Sequence, residues 1–265
     1  MGQGTPRLSS LGRSLALLEA IVSDRESRGV TAIAAGIGLP RATAHRQIAT
    51  LIDEAFLRRL PGGQLFAGSR LLRLAQMLDE KQIAVVAAGP VLRRLATKMR
   101  CVLQLGTLEN DMVTYRLKTG KGAGDLFTKV SLQLEAYCTG IGKVLLAHLS
   151  DVERETYLAN GPFPALTPRT ITRPEALRAE LETIRQNGFA CDDEEIAVGL
   201  RCLAVPIVTT ERRIIAAISA SFIEERMMNA DVLQHRLSLL RDGVAEMLHN
   251  MGLAGAVRSD APPAM

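Results

Sequence analysis

Apolar residues Leu11, Leu15, Leu18 and Val22 recur at spacings of four, three and four, which places them on one face of an amphipathic helix with Ser9 or Ser10 as its cap. A second, shorter helix runs from Thr31 as cap through Ile33 and Ile37 to Gly38. Gly36 within it costs about 1 kcal/mol relative to alanine, so packing has to hold this segment. Gly38 accepts a left-handed backbone and Pro40 suits a first helical turn, so a tight turn separates the second helix from a third over Pro40 to about Ala55. That helix sets Ala44, Ile48, Leu51 and Ala55 on one face, leaving Ala42, Arg46 and Ala49 opposite, flanked by Thr43 and Thr50. Short extended runs, Phe56 to Leu60 and Gln64 to Phe66, then flank Pro61-Gly62-Gly63 as a β-hairpin. Three helices and a wing predict a winged helix-turn-helix over residues 1–68.

The pattern then changes. Leu71, Leu74 and Leu78 predict a helix from Ser69 to Lys81, and Gly89-Pro90 predicts a break before another helix at Val91 to Met99. Residues 69–88 therefore read as a linker helix, with the domain boundary near 79–89. Strand-like runs follow at Val102 to Leu108 and Met112 to Leu117, then a Gly-rich loop and a helix from Gly140 to about Leu149. Strands at Cys202 to Val208 and Arg213 to Phe222 are framed by helices near Glu175 to Asn187 and Ala230 to Met251. Strands alternating irregularly with helices predict an α+β domain over 89–253, and the Pro-containing segment 254–265 reads as a disordered tail.

Composition refines this picture. With 265 residues, 47% of them hydrophobic, the chain exceeds one average domain of about 100 to 200 residues, so two domains are expected. Net charge is only +4, yet between Gly36 and Gln76 the basic residues Arg41, Arg46, Arg58, Arg59, Arg70 and Arg73 face Asp53 and Glu54 alone. Positive charge thus gathers where the turn and third helix lie. Cys101, Cys138, Cys191 and Cys202 lack metal-ligand spacing and the four histidines do not cluster with them, so neither zinc, another cofactor nor a disulfide framework is expected. A reducing cytoplasm fits these cysteines. No window reaches the roughly 18 apolar residues of a membrane span, and no secretory core is visible.

Arg41, Ala42, Thr43 and Arg46 occupy the part of the third helix that would enter a DNA major groove, while Arg58 and Arg59 on the wing would reach phosphate. His45 stands at the edge of the buried face, where packing and DNA contact remain equally open. Gly140-Ile141-Gly142-Lys143-Val144 is not a nucleotide P-loop, since Tyr137 and Val144 replace the required glycine and hydroxyl residue. Its glycines still offer helix-opening amides to a small anion. The Gly120 to Asp125 stretch misses a dinucleotide fingerprint and reads as a flexible loop over a pocket. Asp192-Asp193-Glu194-Glu195 has the composition of a solvated loop. Ser219 and Ser221 point to one face of their strand, where paired hydroxyls would suit a small polar metabolite. Cys138 or Cys202 as a catalytic thiol is the competing reading, without a recognisable histidine partner.

From about Leu11 to Met251 the chain resembles the IclR family of transcriptional regulators. The resemblance rests on Gly38-Leu39-Pro40-Arg41-Ala42-Thr43-Ala44-His45-Arg46 and on four later blocks in order: Thr139 to Ala147, Gly188 to Glu195, Gly199 to Pro206 and Ala216 to Ser221. It implies a C-terminal GAF-like effector domain and no catalysis. It further implies a small organic acid held at Gly140 and Ile141 and by Asp192, Cys202, Ser219 and Ser221, against an apolar wall of Ala123, Leu126 and Leu134. The implied partners are double-stranded operator DNA and a second copy of the chain, as a homodimer or a dimer of dimers, with no membrane. An alternative is a DNA-binding protein whose second domain only oligomerises.

Overall fold

The computed structural model describes residues 9–24, 26, 28–222 and 230–253, so the tail expected over 254–265 lies outside the described residues. The chain divides into two compact units, Met1–Asp79 and Glu80–Met265.

The first unit contains helices α1 (Ser9–Val22), α2 (Val30–Gly36) and α3 (Arg41–Asp53), the hairpin β1 (Leu57–Arg59) and β2 (Leu65–Ala67), and helix α4 (Ser69–Met77). Its core joins Leu17, Leu18 and Ile21 of α1 to Ile33 and Ala34 of α2, Ala44 and Ile48 of α3, and Leu39 and Leu57. This corrects the expected phase of α1: Leu11, Leu15 and Val22 are exposed, and only Leu18 of the predicted stripe is buried. The α1 segment carries more apolar residues than one face needs, and contact with α3 decides which frame is covered. Two boundaries also shift. Gly29, not Thr31, stands at the N-cap of α2, and Pro40 occupies the N-cap of α3 rather than its first turn. The turn before α3 is made as expected by Gly38, with φ 66°. Antiparallel pairing of Arg58 with Phe66 and Arg59 with Leu65 forms the wing.

In the second unit, strands β3 (Val102–Glu109), β4 (Met112–Thr119), β5 (Gln133–Glu135), β6 (Ala190–Asp193), β7 (Arg201–Val208) and β8 (Ile214–Phe222) form one antiparallel sheet in the order β5-β4-β3-β8-β7-β6. Alternation divides its residues between two cores. Leu103, Leu105, Leu203, Val205, Ile207, Ile218 and Ala220 pack with α5 (Glu80–Met99) and α9 (Ala230–Asn250). Ala204 and Ala217 belong to the second core, with α6 (Gly140–Ala147), α7 (Asp151–Leu158) and α8 (Pro174–Asn187). Periodicity did not disclose β5, β6 or α7.

Helix α5 runs unbroken through Gly89-Pro90, where the sequence predicted a stop. A proline inside a helix costs about 3 kcal/mol, chiefly through one lost hydrogen bond and a clash with the carbonyl four residues earlier. Here that carbonyl belongs to Val86, an exposed residue, and Pro90 itself faces solvent. Ala84, Ala88, Val91, Leu92, Leu95 and Ala96 bury a continuous stripe across the proline, and this packing outweighs its cost.

Candidate functional site

Helix α3 buries Ala44 and Ile48 and presents Arg41, Ala42, His45 and Arg46 to solvent, with Thr43 half-buried. His45 is therefore not a core residue. Arg58 and Arg59 are exposed on the wing, and Arg59 Nη1 donates to Gly63 O at 3.2 Å, which steadies the turn. Among the described residues, the side chains of Arg41, Arg46 and Arg58 engage no carboxylate. Arg70, counted in the same basic cluster, is committed to the fold: it pairs with Glu54 at 2.5 Å and lies over the Phe56 ring.

In the second unit, α6 opens where β6, β7 and β8 converge. Thr139 caps it, its Oγ1 accepting from the Gly142 amide at 3.1 Å. A helix leaves its first amides without intrahelical acceptors. Lys143 N donates to Thr139 O, but among the described residues nothing accepts from the amides of Gly140 and Ile141, although both residues are buried. The backbone approaches closely here: a β-carbon at Gly140 would lie 3.6 Å from Cys202 Cβ and 3.8 Å from Asp192 Cβ.

A line of buried polar side chains extends from this point. Cys202 Sγ lies 3.3 Å from Ser221 Oγ, which donates to Gln104 Oε1 at 3.3 Å, and Gln104 Nε2 donates to Thr128 Oγ1 at 2.5 Å. Ser219 is buried two residues from Ser221, opposite Gln104 on β3 and Ala204 on β7. Asp192 Oδ1 accepts from the Glu195 amide at 2.8 Å, while Asp192 Oδ2 is buried without a hydrogen-bond partner. Burial raises the Asp192 carboxyl to about 7, the charge of Glu195 adding to it and the Glu195 amide and Lys143 opposing it.

The acidic run expected to be a solvated loop is thus largely structural. Asp192 and Glu195 are buried, 1% and 5% exposed, and Lys143 Nζ reaches Glu195 Oε1 at 2.5 Å, Glu180 Oε1 at 3.0 Å and Cys191 O at 2.7 Å. Burial alone would lower the Lys143 pKa, but Glu195 and Glu180 outweigh it and raise it.

The sheet brings most of the expected effector residues together. Cys202 and Leu126 share a small cluster with Val102 and Leu200, and Ala123 packs against it. Leu134 does not join that wall; it packs, with Ile141, in the core beneath α6. The sequence reading missed Gln104, Thr128 and Tyr115. Burial raises the Tyr115 phenol pKa, reinforced by Cys202, Asp192 and Cys138, which places Tyr115 in the same electrostatic neighbourhood. A glutamine inside the apolar run Val102-Leu103-Gln104-Leu105 was the available signal.

Burial holds the Cys138 thiol at about 12 and raises Cys202 further, so neither is poised as a thiolate nucleophile at neutral pH. No metal-holding group of His, Cys, Asp and Glu occurs among the described residues, and no described helix is long and apolar enough to cross a membrane.

Residues 10–61 match the IclR helix-turn-helix domain, and residues 75–248 match the C-terminal domain described as bacterial transcriptional regulator IclR C-terminal. The chain belongs to the IclR family. It is 28% identical over 246 residues to the Pca regulon regulatory protein of Pseudomonas putida, covering 92% of this chain and 84% of that one. It is 29% identical over 228 residues to the transcriptional repressor IclR of Escherichia coli, covering 82% and 81% of the two chains. Among solved structures it is similar to an IclR homologue from Microbacterium hydrocarbonoxydans complexed with 4-hydroxybenzoate, at 28% identity and a TM-score of 0.59, covering 92% of this chain and 99% of that one. As an IclR-family regulator, the chain pairs a DNA-binding helix-turn-helix with a C-terminal effector domain built on a GAF-like sheet.

Proposed function

We propose that this regulator responds to a small organic acid, aliphatic or aromatic, bound in its second unit, and that occupancy changes its affinity for operator DNA. The observation that carries this reading is the pair of buried, acceptor-free amides at Gly140 and Ile141 beside Asp192 and Cys202. Buried N–H groups are costly to leave unpaired, and a carboxylate supplies the acceptors they lack. Ser219, Ser221 and Asp192 complete the polar set, with Ala123 and Leu126 as apolar wall. The 4-hydroxybenzoate in the Microbacterium structure supports an acid as the class.

Arg41, Ala42, Thr43, His45 and Arg46 form the groove-facing surface, and Arg58 and Arg59 the phosphate contacts of the wing. Exposed apolar residues on α1 (Leu11, Leu15, Val22) and α4 (Leu72, Leu74, Met77) support self-association, which would present two recognition helices to a two-fold DNA site. Coupling then requires the acid to bind one of two states of the protein more tightly.

A thermal-shift screen of the full chain against carboxylates, including 4-hydroxybenzoate, tests the effector class. A stabilising acid is expected, with Ser219→Ala combined with Ser221→Ala weakening its binding in calorimetry while DNA affinity without ligand stays nearly unchanged. A chain stabilised by no acid in the screen would leave the second unit with oligomerisation alone.

A further inference from the structure

We infer that effector binding at this site is proton-linked: Asp192 enters the complex protonated, donates Oδ2–H to a carboxylate oxygen of the effector, and so couples binding to uptake of one proton. The inference rests on the effector reading above and adds its proton balance.

The geometry begins with two kinds of unmet hydrogen bond on one spot. The Gly140 and Ile141 amides need acceptors, and the buried Asp192 Oδ2 makes no hydrogen bond of ordinary geometry, although the Ile196 amide and the Cys202 thiol also face the carboxyl. A carboxylate effector satisfies the amides, but brought beside an ionised Asp192 it would place two negative charges together in a buried site. One proton, taken from solvent, removes that conflict and creates a charge-assisted O–H···O⁻ bond.

The groups surrounding Asp192 leave little alternative. From the turn after β6 come Glu195, ion-paired with Lys143, and the Ile196 amide; from β7, Cys202; from β4, Tyr115; and before α6, Cys138, the thiols and the phenol held in their neutral forms by burial. The cation of this group, Lys143 on α6, is already held by Glu195, Glu180 and Cys191 O. Among the described residues no cation of this group is therefore left to neutralise both carboxylates. Burial has already moved the Asp192 carboxyl to about 7, so the proton is gained at little cost near neutral pH.

The full chain is titrated with 4-hydroxybenzoate, and with whichever screened carboxylate stabilises it most, by calorimetry between about pH 6 and 8.5, in buffers of different ionisation heat. The expected result is uptake approaching one proton at the alkaline end and affinity falling about tenfold per pH unit above the Asp192 midpoint. Asp192→Asn, which keeps an N–H donor at this position, is expected to bind with a flat pH profile and no proton uptake. A merely structural role would lower affinity equally at every pH. Infrared difference spectroscopy of the unliganded protein against Asp192→Asn supplies a readout that needs no effector: a protonated-carboxyl C=O band should persist up to about pH 7 in the wild type. Binding without proton uptake, or a carboxyl band that vanishes near the ordinary aspartate pKa of about 4, overturns this proposal alone. Absence of binding by every carboxylate overturns the effector reading and this proposal with it.

Discussion

Lys143→Met is expected to lower the melting temperature of the C-terminal unit by roughly 10 °C, the product of about 3–5 kcal/mol for breaking a buried ion pair and roughly 2–4 °C per kcal/mol for a domain of this size. The ammonium group is 1% exposed on its side chain and has three partners at 3.0 Å or closer. Removing it strands Glu195, whose Oε2 already lacks a partner, beside Asp192. Such a loss is a large share of the roughly 5–15 kcal/mol that stabilises a typical domain. The sign with pH follows from the raised pKa of Lys143: its contribution is fully present below the unfolded value of about 10.4 and is lost as pH rises through the higher folded value. The defect should therefore be complete at neutral pH. Adding Glu195→Gln to Lys143→Met removes the stranded charge and should recover part of the loss. Calorimetric melting checks both variants; a Lys143→Met protein that melts within about 2 °C of wild type would show that the ion pair contributes little.

On the DNA side, Arg46→Ala is expected to reduce specific binding by about 1–3 kcal/mol, or roughly 5- to 150-fold, and to relax discrimination at the base pair it reads. Arg46 is exposed on the outer face of α3, two turns from the buried Leu39 end of the core, so its loss should leave the fold intact. Arg58→Ala provides the contrast. A phosphate contact from the wing should weaken binding to all sequences alike and make the salt dependence shallower. Gel-shift titrations against double-stranded DNA selected from a random library, with an unselected duplex alongside, separate the two effects. An Arg46→Ala protein that keeps both affinity and sequence preference would remove α3 as the reading helix.

How much of this was legible depended on where each signal lay. Local alternation and turn residues sufficed for β3, β4, β7, β8 and the wing, because Gly62 and Gly63 write the turn and the strands are apolar enough to stand out. The solvent-facing side of α3 was visible for the same reason. The phase of α1 was not, since Leu11, Leu15, Leu17, Leu18 and Ile21 fit more than one helical stripe and only tertiary contact selects among them. The stop expected at Gly89-Pro90 failed because a stripe buried on both sides of a proline is a nonlocal effect. Asp192 and Glu195 looked solvated because the cation that makes their burial tolerable, Lys143, lies about fifty residues earlier in the chain. A lysine inside the otherwise apolar run Gly140 to Ala147 was the one hint, and it required an anion somewhere out of view.

Every one of the eight residues of α6 is buried, from Gly140 to Ala147. A helix gripped on all sides has no direction in which to swing, and its free amides are therefore a fixed anvil rather than a moving jaw. Any movement that accompanies acid binding is therefore expected in the rim, at the stretch from Ile196 to Gly199 and the turn around Gly122, where the chain is less enclosed.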